Sequence, residues 1–482
     1  MMRVPTERPA TTPAFPSSDE ALERAARHAR AFVADLGAVP VAPTATLDEL
    51  RGRFGGPLPD APTDPADVID LLVANADGGL MRTSGPRFFG FVIGGSVPAA
   101  LAADWLTSAW DQNAALYVVG PAAAVAEEVA GAWLAELFGL PADVSVGYTT
   151  GATMATFTGL AAGRHALLAA QGWDVERRGL FGAPELPVVV GEEAHVTIHA
   201  ALQMLGLGRD RVTRVPTDDQ GRMRPDALVA ALHGLGRPAL VCAQAGNVNT
   251  GTFDPLPPIV DAVRENGGWL HVDGAFGLWA AVDPARRHLV DGVAEADSWT
   301  TDAHKWLNVP YDSGLSFVRD AAAHHAAMTL GAAYYVETEG AERDNYNWVP
   351  ESSRRARGFT IWAALRSLGR AGLAEMVART SDVAVRIADG LDGAPGVRVL
   401  NDVVLNQVLV RFDDVSGDPA AGDARTLAVI DAVQRDGAIW LGGTTWHGMR
   451  AMRISVSNWA TTAAHADEVV AIIRRVASGR VL

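Results

Sequence analysis

The chain opens with helical spacing. Residues 17–36 place Leu22, Ala25, Ala26, Ala29, Phe32, Val33 and Leu36 on one stripe, with Ser17 and Glu20 at capping-box spacing, which predicts an amphipathic helix. The stretch that follows, to about Pro65, is rich in Pro, Gly and Asp and reads as an irregular arm. Residues 121–140 predict a second helix. Pro121 suits its first turn, Val125, Val129, Trp133 and Leu137 share a face, and Gly139 with Pro141 stops it. Short apolar runs at 144–148, 187–190, 239–243, 269–272 and 314–318 then alternate with helical stretches. Runs of that length suit strands buried on both faces, so the middle of the chain is expected to be an α/β sheet covered by helices. After about Ala374 the pattern changes to a long helix, an apolar run at 407–412, a helix near 426–435, apolar runs at 438–441 and 452–456, and a terminal helix. That reads as a smaller α+β domain. The expected division is a helical arm over 1–85, a large domain over 86–374 and a small domain over 375–482.

Composition narrows the class of function. At 482 residues the chain exceeds what one core usually supports, which fits a large domain with elaborations. A net charge of -16 disfavours nucleic acid and anionic membrane surfaces and favours small-molecule chemistry. Cys242 is the only cysteine, so no internal disulfide can form, and its apolar neighbours make it a core filler. The first fifteen residues lack the apolar stretch of a signal peptide, and no window reaches the roughly 18 apolar residues of a membrane span. A cytoplasmic protein is expected. His324 and His325, in an alanine-rich helical run, are expected to be solvated.

Three segments carry candidate chemistry. In HVDGAFG, from His271, a buried strand ends in Asp273 and is followed by small residues, as if something flat lay against Ala275. In TTDAHKW, from Thr300, Lys305 sits among apolar and aromatic neighbours that would favour a neutral, nucleophilic amine. In TTGATMATFTGL, from Thr149, a strand passes into a helix whose first N–H groups, at Gly151 to Met154, could face a phosphate, with the Thr153 hydroxyl beside them. Taken singly, Asp273 reads equally well as a helix cap, Lys305 as a surface lysine and Gly151 as a turn. Together they suggest imine chemistry. His195 and His199 stand at a spacing compatible with a shared metal on a helix, but no third ligand is apparent, and no metal is expected.

With these segments in place the chain resembles the group II pyridoxal 5'-phosphate (PLP) decarboxylases, the family of aromatic-amino-acid, glutamate, histidine and tyrosine decarboxylases. The resemblance runs through PRFFGF at Pro86, WDQN at Trp110, the Gly151 loop, HVDGAFG, DAHKWLNVPYDSG, SRRARGF and MRISVSNWATT. It implies the PLP-dependent transferase fold of type I, the aspartate-aminotransferase-like arrangement. A large mixed seven-stranded sheet domain is then joined to a smaller C-terminal α+β domain and an N-terminal helical arm. It also implies that Lys305 carries PLP as a Schiff base, that Asp273 keeps the ring nitrogen protonated, and that His195 and Ala275 pack on opposite faces of the ring. Ala152, Thr153, Met154 and His304 would lie near the phosphate, and Asn247 near the cofactor. Tyr334, in GAAYYVET, matches the loop tyrosine that protonates the substrate carbon, with Tyr335 a close rival. The family forms homodimers with the site at the interface.

The chain departs from the better-known animal members at NVNTGT, from Asn247, and at Asp302, where those members often carry Asn. Both departures touch expected cofactor contacts. Arg87 borders the substrate region and reads as a structural ion pair or as the partner of a distal carboxylate. The expected reaction is decarboxylation of an L-amino acid to its primary amine. Phe88, Phe89, Trp105, Trp110 and Trp446 suggest an aromatic or bulky apolar substrate while serving equally well as core. The alternatives are an oxidative aldehyde synthase, an acidic-amino-acid decarboxylase, a retro-aldol lyase and a PLP-binding protein without turnover.

Overall fold

The structure, a computed structural model, describes residues 18–329 and 342–479. It comprises two compact units, Met1–Arg82 and Thr83–Leu482. The first contains helices α1 (Ser18–Asp35), α2 (Leu47–Phe54) and α3 (Pro65–Ala76). Ser17, expected to cap α1, lies outside the described residues. Along the α1 stripe Ala25, Ala26, Ala29, Phe32 and Leu36 are half-buried, whereas Leu22 and Val33 stay exposed. Arg24 ties α1 to α3 through Asp67 at 3.1 Å and Asp70 at 2.6 Å.

The arm is more regular than its composition suggests. Thr46 and Glu49 form a capping box, the Thr46 N–H donating to the Glu49 carboxylate at 2.7 Å and the Glu49 N–H to Thr46 Oγ1 at 3.3 Å, and this starts α2. Pro65, read as the end of a connector, occupies the first turn of α3, where its missing N–H costs nothing, and Asp64 caps the helix.

The second unit is built on a seven-stranded sheet. Its strands are β1 (Ser145–Thr149), β2 (Val188–Gly191), β3 (Thr213–Val215), β4 (Leu240–Gln244), β5 (Trp269–Asp273), β6 (Ser298–Asp302) and β7 (Gly314–Val318). They lie in the order β1-β7-β6-β5-β4-β2-β3. Only β7 runs against its neighbours, so the other six strands end at one edge. Sequence reading passed over β3, a short edge strand, and β6, whose SWTTD lacks an apolar run. The β6 threonines are buried because they are hydrogen-bonded, Thr300 Oγ1 meeting Thr156 Oγ1 at 3.2 Å.

Around the sheet pack α4 (Pro98–Trp110), α5 (Pro121–Phe138), α6 (Ala152–Ala169) and shorter helices. The α5 helix ends at Gly139 in a left-handed conformation, φ 69°, as its sequence predicts. The α6 helix lies against β5, β6 and β7. It comes close because Gly159 and Gly163 carry no side chain: a Cβ would stand 3.0 Å from His271 at the first and 2.7 Å from Leu240 at the second. Glycine inside a helix costs about 1 kcal/mol relative to alanine, and here it sets the start of α6 against the carboxyl edge of the sheet. His324 departs from expectation. The helix Ala321–Met328 packs on α6 and buries His324, whose Nδ1 meets Ser145 Oγ at 2.7 Å and whose Nε2 donates to the Trp348 carbonyl at 2.8 Å; His325 is exposed.

A helix from Arg357 to Leu391 passes through residue 374 and kinks at Gly369, φ 60°. Beyond it lies a four-stranded antiparallel sheet of β8 (Val397–Val399), β9 (Gln407–Phe412), β10 (Gly442–Trp446) and β11 (Met449–Ser455), in the order β10-β11-β9-β8. The apolar run 438–441 is no strand of this sheet. Trp440 forms an isolated bridge with Phe88, while Ile439 and Leu441 fill the small core.

Candidate active site

Strand ends converge at the carboxyl edge of the large sheet, where open α/β sheets bind their ligands. β5 delivers Asp273, β6 delivers Asp302 and the turn to Lys305, β4 leads to Asn247, and β1 leads to Gly151 and α6. His195 caps the helix Val196–Met204 that follows β2.

Lys305 Nζ stands 3.1 Å from Asp302 Oδ2 and 6.0 Å from the centre of the Phe276 ring. The apolar surroundings expected for this lysine therefore include a carboxylate. Asp302 Oδ1 also accepts the N–H of Ala152, the first residue of α6, at 2.7 Å, and lies 3.6 Å from His304 Nε2. His304 Nδ1 accepts the Ser313 N–H at 3.2 Å, which leaves its proton on Nε2. Burial pushes the His304 pKa down, with Asp302 opposing. Its ring lies 4.3 Å from that of Tyr311.

Asp273 is buried, and the described structure gives its side chain one hydrogen bond, from the Ala275 N–H at 3.1 Å. No cation stands within ion-pair distance of it among the described residues. Burial pushes the His195 pKa down, Asp273 opposes this, and Lys305 and Arg453 add to it, so all four share one electrostatic neighbourhood. His195 Nδ1 meets Thr197 Oγ1 at 2.8 Å. His199 turns its Nδ1 to the Arg209 carbonyl, and no group of three metal-ligating side chains is present among the described residues.

The remaining expected residues are spread around this centre. Ala275 accepts the Asp302 N–H on its carbonyl at 2.9 Å. Asn247 Oδ1 accepts the N–H groups of Asn249 and Thr250, while its buried Nδ2 has no acceptor. The Met154 N–H bonds to the Gly151 carbonyl, and the Thr153 hydroxyl makes no hydrogen bond to the described residues. Tyr334 and Tyr335 lie outside the described residues. Arg87 faces Glu468 at 3.9 Å. Phe88, Phe89 and Trp446 are core, whereas Trp105 and Trp110 are exposed.

Two residues were overlooked in the sequence. Burial pushes the Arg453 pKa down; its guanidinium donates to the Val248 carbonyl at 3.2 Å and has no carboxylate within ion-pair distance among the described residues. The motif MRISVSN, quoted as a whole, held the signal. Asn308 is fully buried at φ 54°. Its Oδ1 accepts the N–H groups of Gly95 at 2.5 Å and Trp459 at 2.9 Å, and its Nδ2 donates to the Trp306 and Ser457 carbonyls. This amide fastens the lysine turn to two distant segments. Gly94 completes the fastening, since a Cβ there would stand 1.9 Å from the Lys305 carbonyl oxygen.

Residues 57–413 match the pyridoxal-dependent decarboxylase conserved domain. The chain belongs to that family. This decarboxylase is 26% identical over 439 residues to tyrosine decarboxylase 2 of Arabidopsis thaliana, covering 89% of this chain and 80% of that one. It is 31% identical over 376 residues to L-2,4-diaminobutyrate decarboxylase of Rhizobium meliloti (strain 1021), covering 76% and 72%. Its fold matches the solved structure of Oryza sativa TDC with PLP and tryptamine at a TM-score of 0.89 and 22% identity, covering 98% and 99%. The protein is a PLP-dependent amino-acid decarboxylase of fold type I. The residues fit that cofactor: Asp273 is a buried carboxylate with no cation within ion-pair distance among the described residues, as a protonated ring nitrogen would require, and Lys305 is an amine placed to carry it. A Cβ at Gly151, just before α6, would stand in ordinary contact with His304 at 3.4 Å.

Proposed function

We propose that this decarboxylase converts an aromatic or bulky apolar L-amino acid to its primary amine. The observation that carries the substrate class is Phe91, 59% exposed and stacked on Trp440 at 5.8 Å. It presents an aromatic surface three residues before Gly94, the glycine packed on Lys305. The names of relatives acting on tyrosine and tryptophan support the same reading. The Arg87–Glu468 contact speaks against a distal substrate carboxylate held by Arg87.

When bound, PLP supplies a sink for the electron pair left as carbon dioxide departs. Lys305 would attach the cofactor, and Asp273 would hold its ring nitrogen and favour the charged form. His195, its pKa lowered by burial, would offer the cofactor ring a neutral flat surface, with Ala275 small enough to leave room on the other side. Thr153, His304 and the start of α6 would hold the phosphate end, and Asn247 would border the ring. Arg453 orients the substrate carboxylate, which decides the bond to be broken. Tyr334 returns a proton to the substrate carbon.

The enzyme acts as a homodimer in the cytoplasm. Trp105, Leu106 and Trp110 of α4, with Val118 and Val119 beyond it, are each at least 40% exposed, as an apolar subunit contact requires. No helix among the described residues is long and apolar enough to cross a membrane. The test is a panel of L-amino acids, including 2,4-diaminobutyrate and glutamate, with carbon dioxide, amine, aldehyde and hydrogen peroxide quantified together and Lys305→Ala as blank. Amine without peroxide from aromatic substrates is the expected result. Aldehyde with peroxide, or turnover of glutamate alone, would refute it. Light scattering at micromolar concentration should give twice the chain mass.

A further inference from the structure

The start of α6, where the cofactor's phosphate is expected, already holds a negative charge. Asp302 is nearly fully buried, its Oδ1 on the Ala152 N–H and its Oδ2 on the Lys305 ammonium. The carboxylate has little room to leave. Its own N–H is held by the Ala275 carbonyl at 2.9 Å and its carbonyl by Trp279 Nε1 at 3.3 Å. A Cβ on Gly151 would lie 3.6 Å from Oδ1, within ordinary contact of the carboxylate.

A phosphate monoester brings about two further negative charges to the same helix start, and like charges at close range in a buried site oppose one another. An asparagine would accept the Ala152 N–H equally well without that charge. Lys305 sharpens the contrast, because once it has joined the cofactor its ammonium no longer faces Asp302 alone.

We propose that Asp302 is the resting counter-ion of Lys305 in the cofactor-free chain, and that its carboxylate opposes the phosphate of PLP. Cofactor occupancy is therefore loose and exchangeable. This rests on the PLP reading of the site and adds to it a residue that governs loading.

The experiment titrates full-length enzyme, stripped of cofactor, with PLP and separately with pyridoxal, which has the same aldehyde and ring but no phosphate. Wild type is compared with Asp302→Asn and Asp302→Ser, which both keep an acceptor for Ala152 without charge, and circular dichroism verifies each fold. The expected result is PLP binding at least about tenfold tighter in the uncharged variants, with a gain for pyridoxal at least about fivefold smaller. Unchanged or weaker PLP binding in the variants, or equal gains for both aldehydes, would overturn the proposal. No binding of either aldehyde by folded wild type would instead overturn the PLP reading itself.

Discussion

Acidification should weaken this fold through two histidines that perform no chemistry. His271, in the HVDGAFG motif, is fully buried with Nδ1 on Ser298 Oγ at 2.9 Å, and burial pushes its pKa from 6.5 down to about 3. His324 is pushed to about 3, chiefly by burial and further by Arg343. A folded pKa below the unfolded value means that the stability is complete above about 6.5 and is lost as pH falls toward 3. Between pH 7 and pH 5 each histidine therefore gives up about 2 kcal/mol. Asp254 works the other way. Burial raises its pKa to about 6, so its contribution is present at low pH and lost as pH rises through 6, and it returns about 1 kcal/mol over the same interval. The histidines win, with a net loss of about 3 kcal/mol. Urea unfolding at pH 7, 6 and 5 measures it. His324→Gln, which can still bond Ser145 and Trp348, should lose about 2 kcal/mol less than wild type over that range. Equal pH slopes for variant and wild type, or stability that rises on acidification, would refute the reasoning.

Other outcomes follow from single contacts. Arg354 and Glu127 form a bidentate pair with both side chains almost fully buried, so Arg354→Met should cost about 3–5 kcal/mol in chemical denaturation. Glu127→Leu added to it should restore only part of that, because buried Arg343, whose charge Glu127 also favours, then loses its counter-charge. Gly94→Ala drives a methyl onto the Lys305 carbonyl, which should lower the melting temperature and weaken PLP binding together. Arg453→Met should raise KM at least about tenfold for any accepted amino acid while leaving PLP affinity within about twofold, and an unchanged KM would remove it from substrate binding.

Most of the fold was legible because its strands are apolar on both faces. The runs at 239–243, 269–272 and 314–318 lie within one residue of β4, β5 and β7 at either end. β6 was not, because its burial rests on hydrogen-bonded threonines rather than on hydrophobicity. The arm failed for a related reason: Pro65 marks a stop and a start alike, and only the Asp64 cap distinguishes them. In the site, Asp273 and Lys305 stood out because an acid ending an apolar strand and a lysine beside tryptophan are locally anomalous. Arg453 and Asn308 were hidden because their meaning comes from partners far away in sequence. The Lys305–Asp302 pair lay in plain view as neighbours in one turn, yet apolar residues around it suggested an isolated amine.

The Asn308 amide closes contacts across 213 residues to Gly95 and 151 residues to Trp459. Closing such spans is slow, since the chain entropy is surrendered before the contact rewards it. The lysine turn thus cannot take its final shape until Trp459 has left the ribosome. Cofactor capture is then expected late in folding, without PLP serving as its nucleus. In refolding from urea, the cofactor's absorbance change should lag the return of helical signal, and added PLP should leave the rate of that return unchanged.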